Sequence, residues 1–171
     1  MVFPVIAIIM SAIALYFSRK SFLDANRPII LVNISSQGMG GNAATPLSLI
    51  VENTGNRPAL DIVIKWHGSE YKKAFKVPEE HPRRSAFERI YSEGARIEVL
   101  ANGKKVTTSF GWIGPDDMAQ FQSEAATWHS ESRFCMAVSY RDLDGRKYNH
   151  EIPMITSDDE GFGGGIWQLS K

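Results

Sequence analysis

RFCMAVSYRDLDGRKYNHEIPMI, residues 133–155, is the stretch whose reading decides the fold. Phe134, Met136, Val138 and Tyr140 recur every second residue, the spacing of a strand with one buried face. Leu143-Asp144-Gly145 fits a three-residue loop ending in a left-handed glycine. Closing the chain there sets Tyr140 opposite Tyr148, Val138 opposite His150, Met136 opposite Ile152 and Phe134 opposite Met154. The apolar faces of both arms match in this register, and a slip of one residue would turn every side chain to the other face. Pro153 has no N–H for a ladder, so the second arm should end there or lie at a sheet edge.

Working outward, residues 58–66 place Leu60, Ile62, Ile64 and Trp66 on one face, with Asp61 and Lys65 on the other. Residues 47–53 group Leu47, Leu49 and Val51. Residues 29–34 are apolar on both faces, which predicts a deeply buried strand. Asn102-Gly103 is a type I′ turn signal, because both central positions of that turn need positive φ. It predicts a second hairpin pairing Val99 with Val106, Ile97 with Thr108 and Ala95 with Phe110.

The pattern predicts about seven strands: 29–34, 47–53, 58–66, 95–100, 105–110, 133–141 and 146–155. The fold class is therefore mainly β, an antiparallel immunoglobulin-like β-sandwich with one or two short helical insertions. The first insertion, 82–93, opens on Pro82, puts Phe87, Ile90 and Tyr91 on one side and stops at Gly94. The second, 115–129, opens on Pro115-Asp116-Asp117 and groups Met118, Phe121, Ala125 and Trp128.

Ahead of the sandwich, residues 2–17 carry no charge and one clearly polar side chain, Ser11. A bilayer core of ~30 Å takes about 20 helical residues. Sixteen fall slightly short, but Arg19 and Lys20 can snorkel while Phe22 and Leu23 extend the apolar surface. Pro4 falls in the first turn, where its missing N–H costs nothing, and Pro28 disfavours helix at Arg27. The segment predicts a retained transmembrane anchor over about 2–23, with Val2, Ile6, Ile9, Ile13, Leu15 and Phe17 facing lipid. Arg19, Lys20 and Arg27 form its membrane-interface cluster, and the positive-inside rule then places the following domain in the cytoplasm, at the inner membrane. A cleaved signal peptide would want a basic start and a small-residue cleavage site, and Tyr16, Phe17 and Arg19 stand there instead. Three segments result: an anchor, 1–26; a sandwich domain, 27–156; and a Gly-rich tail, 157–171, with Asp158-Asp159-Glu160 at its start.

Composition narrows the function classes. Charged residues are 22% and hydrophobic ones 43%, the proportions of a folded chain, not a disordered one. All acidic residues follow residue 20, as do all basic residues but Arg19 and Lys20, so the domain is slightly acidic. Without a basic excess to displace counterions from phosphates, nucleic acid is not an expected partner. The single cysteine, Cys135, makes no internal disulfide and is expected to pack in a strand. His67, His81, His129 and His150 lack the paired spacing of zinc ligands, although His67 and His150 could converge in space. Asp142 and Asp144 suit a turn, and no calcium-loop pattern surrounds them. The glycines at 161–165 lack the Lys-Ser/Thr of a phosphate loop. No catalytic residue, metal or cofactor is expected.

Two motifs carry a resemblance. Asn53-Thr54-Gly55-Asn56-Arg57-Pro58-Ala59 resembles the Asn-x-Gly-x-x-Pro-Ala turn of bacterial immunoglobulin-like sandwiches, and the run from Tyr140 to Tyr148 resembles their Tyr-x-Asp-x-x-Gly-x-x-Tyr hairpin. With Ala25-Asn26-Arg27-Pro28 after an anchor helix, the chain is similar to uncharacterised bacterial single-pass membrane proteins. The resemblance implies an anchored sandwich, and fold alone assigns no role.

The expected function is a non-catalytic, membrane-anchored interaction module, with the bilayer and a protein partner or second copy as partners. The expected interaction surface is Lys72, Lys73, Lys76, Arg83 and Arg84 in the 67–94 insertion, together with Trp167 in the tail. Those cations could form a solvated face or meet anionic headgroups beside the anchor. The alternative is a ligand-sensing membrane effector, whose β domain binds a small molecule and alters helix assembly through Ala7, Ser11, Ala12 and Ala14. It needs a large apolar cavity with a few polar groups.

Overall fold

The computed structural model describes residues 2–36, 45–114 and 126–157. Helix α1 spans Val2–Ala25 and is followed by strands β1 (Ile30–Ser36), β2 (Thr45–Asn53) and β3 (Ala59–His67). Two helices, α2 (Tyr71–Ala74) and α3 (Pro82–Glu93), precede β4 (Ala95–Leu100), β5 (Lys105–Ile113), β6 (Ser132–Arg141) and β7 (Lys147–Thr156).

The strands form two antiparallel sheets, ordered β1-β2-β5 and β4-β3-β6-β7. This is an immunoglobulin-like sandwich in which the fourth strand lies beside the third. In the constant-domain arrangement the fourth strand instead completes the opposite sheet. The β6–β7 register is the one its sequence dictates: Tyr140 faces Tyr148, Val138 faces His150, Met136 faces Ile152 and Phe134 faces Met154. Phe134, Met136, Val138 and Tyr140 are all buried, as are Leu47, Leu49 and Val51. Pro153 sits within β7, which is an edge strand.

Two expectations are corrected, and a third at its C-terminal end. The Asn102-Gly103 hairpin does not form, because β4 pairs with β3 and β5 pairs with β2 in the other sheet. A turn is present, closed by the Lys104 N–H donating to Ala101 O at 3.2 Å. Only Gly103 takes positive φ, the pattern of a type II turn instead of type I′. The end of β2 captures the chain as it leaves: Asn53 N–H donates to Lys104 O and Gly103 N–H to Asn53 O. Alternation tells a strand which face to bury but not which neighbour to join.

The strand at 29–34 is not deeply buried. As β1 it is an edge, with Ile30 and Val32 inside and Leu31 half exposed. The helix expected over 115–129 lies outside the described residues as far as 125, and 126–130 are not helical. Thr127 and Trp128 donate their N–H groups to Trp112 O, His129 N–H donates to Ala74 O, and Trp128 bridges Phe75.

The helix over 82–93 forms as expected, with His81 Nδ1 accepting from Arg83 N–H at its start and Gly94 N–H bonded to Ile90 O at its end. Tyr91 and Phe87 pack inward while Ile90 stays exposed. Together α2, α3 and the 126–129 segment close one end of the sandwich over a stack of rings. Trp128, wholly buried, stacks between Phe75 at 4.2 Å and Phe110 at 4.9 Å and donates its indole N–H to Phe110 O at 2.5 Å. Burying about 200 Å² of such a side chain contributes roughly 5 kcal/mol at ~25 cal/mol per Å².

Candidate functional site

The chemistry of α1 begins with its surface. Ile6, Ile9, Ile13, Leu15 and Phe17 are all exposed, and Val2 opens the helix. Its 24 residues rise about 36 Å, enough to cross a bilayer core. The helix is long and apolar enough to span a membrane, and none of that span is buried against the domain. Ser11, the one clearly polar side chain of its first sixteen residues, returns its hydroxyl to Ala7 O at 2.8 Å, which satisfies the group within the helix.

How this helix joins the sandwich is set by the Asn53–Ala59 turn. Asn26 ends the helix by donating both its backbone and side-chain N–H groups to Phe22 O. Pro28, two residues on, is buried against Gly55, where any Cβ would collide with the backbone of Arg27, Pro28 and Ile29. Asn56 Nδ2 donates to Ala25 O at 3.2 Å, and Thr54 N–H to Ile29 O at 2.9 Å. Asn53, fully buried, holds the centre: its Oδ1 accepts from Ile29 and Gly55 N–H, and its Nδ2 donates to Arg57 O and Leu100 O.

The β6–β7 loop completes this end. Buried Asp142 accepts from the N–H groups of Asp144 and Arg146 and from Tyr148 Oη. Arg57 pairs with Asp144 at 2.5 Å, tying the loop to the turn. Tyr140 Oη donates to Pro28 O at 3.2 Å and lies 3.1 Å from His150 Nε2. Burial raises the Tyr140 pKa, so the phenol stays a donor.

The basic residues singled out from sequence occupy the other end. Lys72, Lys73, Lys76, Arg83 and Arg84 follow the far end of β3, nine residues and about 30 Å from the junction with α1. Lys72 and Lys73 are exposed. Lys76 Nζ donates to Gly114 O, and Arg83 Nη1 donates to Thr127 Oγ1. Arg84 is buried beneath this surface: it pairs with Glu79 and Glu88 at 3.1 Å each, donates to Val77 O and lies over the Phe75 ring. A buried guanidinium so completely matched fixes α3 in place and leaves little to offer a partner. These residues do not sit beside α1. Trp167 lies outside the described residues.

The outer face of the four-stranded sheet carries two open grooves. One, of about 570 Å³, is lined by Val63, Lys65, Ala137, Ser139, Asn149 and Glu151, among others. The second, about 400 Å³, runs past Asp61, Arg96, Arg141 and Lys147. Asp61 takes φ +49 where β3 shifts register between Leu60 and Val63. It pairs with both Arg141 and Arg96, and those hydrogen bonds hold its pKa below the usual 3.8. His67 Nε2 lies 3.5 Å from Glu151 Oε1, whereas His150 bonds Tyr140, so the two histidines serve different neighbours. Among the described residues, no group of three His, Cys, Asp or Glu side chains could hold a metal ion. Cys135 is half-buried, opposite His67 and Pro153.

A family model described as a domain of unknown function, DUF8453, matches residues 1–158. The chain belongs to the DUF8453 family. No curated protein matches it. The DUF8453 match takes in α1 as well as all seven strands, so the apolar helix and the sandwich together make up the family's pattern. Sequence reading of this DUF8453 chain located the Asn53–Ala59 turn but not its task. The Asn-x-Gly-x-x-Pro spacing was the available signal. Its contact with Ala25 and Pro28 required the folded domain.

Proposed function

We propose that this DUF8453 protein is a single-pass inner-membrane protein whose cytoplasmic sandwich is a non-catalytic binding module for a protein partner or a second copy of itself. The supporting observation is the junction. An exposed apolar helix runs into the sandwich through two residues, Asn26 and Arg27, and Pro28 is already docked. A module held this closely displays a defined end, α2 and α3, away from the bilayer. That end carries both charge signs, Lys72, Lys73 and Arg89 against Glu70, Glu79 and Glu80, as the rim of a protein interface does. Arg19, Lys20 and Arg27 after the helix favour the cytoplasmic orientation. Among the described residues the ligand-sensing alternative gains no such support, since stacked rings fill the core and the two grooves of the outer sheet face open to solvent.

Two measurements test the proposal. A reporter active only outside the cytoplasm, fused after Lys171, should stay silent, and activity would reverse the orientation. Photo-crosslinkers at Lys73 or Glu80 of the full chain in cells should capture a discrete protein. Repeated capture of nothing would remove the binding role.

A further inference from the structure

Seven strands and three loops bring scattered cations to the anchor end of the sandwich. The β2–β3 turn, the β4–β5 turn and the β6–β7 loop all lie at that end. The first touches α1 directly through Asn56 and Ala25. The second is tied to it by Asn53 bonding Leu100 O and Lys104 O, and the third by the Arg57–Asp144 pair. Arg27, Lys104, Lys105, Arg146 and Lys147 are exposed there. Of the acidic residues nearby, Asp142 is buried by three hydrogen bonds and Asp144 pairs with Arg57, while Glu52 stands across the strand from Lys105 and Asp24 is exposed near the helix end.

Distance separates this surface from the basic segment near Lys72. The last helical residue, Ala25, lies about 8 Å along the helix from Lys20, and a headgroup layer is ~6 Å deep. Charges on the three loops therefore lie within about one Debye length (~8 Å) of the headgroups. The α2–α3 end is about 30 Å further on, where screening leaves little. Its cations are also offset by acidic neighbours and, at Arg84, consumed inside the fold.

We propose that the loop end formed by Arg27, Lys104, Arg146 and Lys147 binds anionic phospholipid headgroups, seating the sandwich on the bilayer. This rests on α1 being a membrane anchor. The anchor fixes depth, and the charged end fixes the domain's standing orientation, a second membrane contact that needs no second helix. Each cation at such a surface is worth roughly fivefold in the seating equilibrium.

The test uses the full chain in nanodiscs of phosphatidylcholine, with or without phosphatidylglycerol, followed by amide exchange. Anionic lipid should slow exchange several-fold at 54–57, 102–105 and 143–147 but not in α2 or α3. The triple variant Arg27→Glu, Lys104→Glu, Lys147→Glu should abolish that slowing, and Lys72→Glu with Lys73→Glu should leave it. Should the triple variant misfold, salt titration of the natural chain decides: slowing that vanishes with salt supports the proposal, and slowing that persists overturns it. Exchange indifferent to lipid charge in a chain that resists alkaline extraction overturns this proposal alone and favours an acidic protein partner. A chain released by alkaline carbonate overturns the anchor and this proposal together.

Discussion

Tyr140, at the end of β6, donates its phenol hydrogen to the carbonyl of Pro28, 112 residues earlier in the chain, at 3.2 Å. This bond joins the β6–β7 hairpin to the point where the apolar helix ends. Tyr140→Phe should lower stability by about 1 kcal/mol, the usual net worth of one such bond. Denaturant titration of the full chain in detergent measures it, and the Ile30 amide should exchange faster. Unchanged stability would mean that the bond does not hold the junction.

Asn53 is matched on both side-chain polar atoms, so its removal leaves buried groups of both kinds unmatched. Asn53→Ala should cost about 3 kcal/mol. Asn53→Asp should cost at least as much, because it turns an acceptor toward the carbonyls of Arg57 and Leu100. A thermal melt that ranks the aspartate variant above the alanine variant would contradict this geometry.

Gly55 and Gly103 are both turn glycines with different reasons for being glycine. A methyl group at Gly55 meets the backbone of Arg27, Pro28 and Ile29, whereas Gly103 faces open space at φ +66. Gly103→Ala should cost about 1 kcal/mol through backbone strain alone. Gly55→Ala should cost more, and it should loosen the helix junction, seen as faster proteolysis between Asn26 and Ile30. Equal losses would show that no close approach exists.

Asp61 supplies an acid-side prediction. Its pKa is lowered by hydrogen bonds from Arg141 and Arg96, so the unfolded chain takes up its proton first. The stability it contributes is present above pH ~4 and is lost as pH falls through the lowered value. Asp61→Asn should therefore melt earlier than the natural chain at neutral pH, with the difference shrinking below pH ~4. A difference that stays constant down to low pH would remove the assignment.

Tyr91 supplies the alkaline counterpart. Burial raises its pKa to about 12 from an ordinary 10.0. Its neutral phenol favours the folded state fully below pH ~10, and that contribution is lost as pH rises toward the folded value. Tyr91→Phe should melt like the natural chain at pH ~7 and retain more stability above pH ~10. Parallel losses on the alkaline limb would show that the phenol is not buried.

The lesson of Asn102-Gly103 is one of range. The dipeptide marked a real turn, yet the two strands beside it entered different sheets, because Asn53 of β2 bonds the emerging chain at Gly103 and Lys104. Arg84 teaches the same. In sequence it belongs to a basic run, and in the fold Glu79, Glu88 and Val77 O surround it. Trp128 sat on a plausible helical face and instead lies extended in the core, anchored by Phe110 O.

By itself the sequence determined the apolar helix, the seven strands and the register of β6 against β7, because each follows from periodicity or from a turn only a few residues long. Tertiary structure alone decided which sheet receives β4, which cations surround the end of the apolar helix and which are buried. Those outcomes depend on free-energy differences between alternative long-range pairings of equally alternating strands, and no local pattern encodes such a comparison.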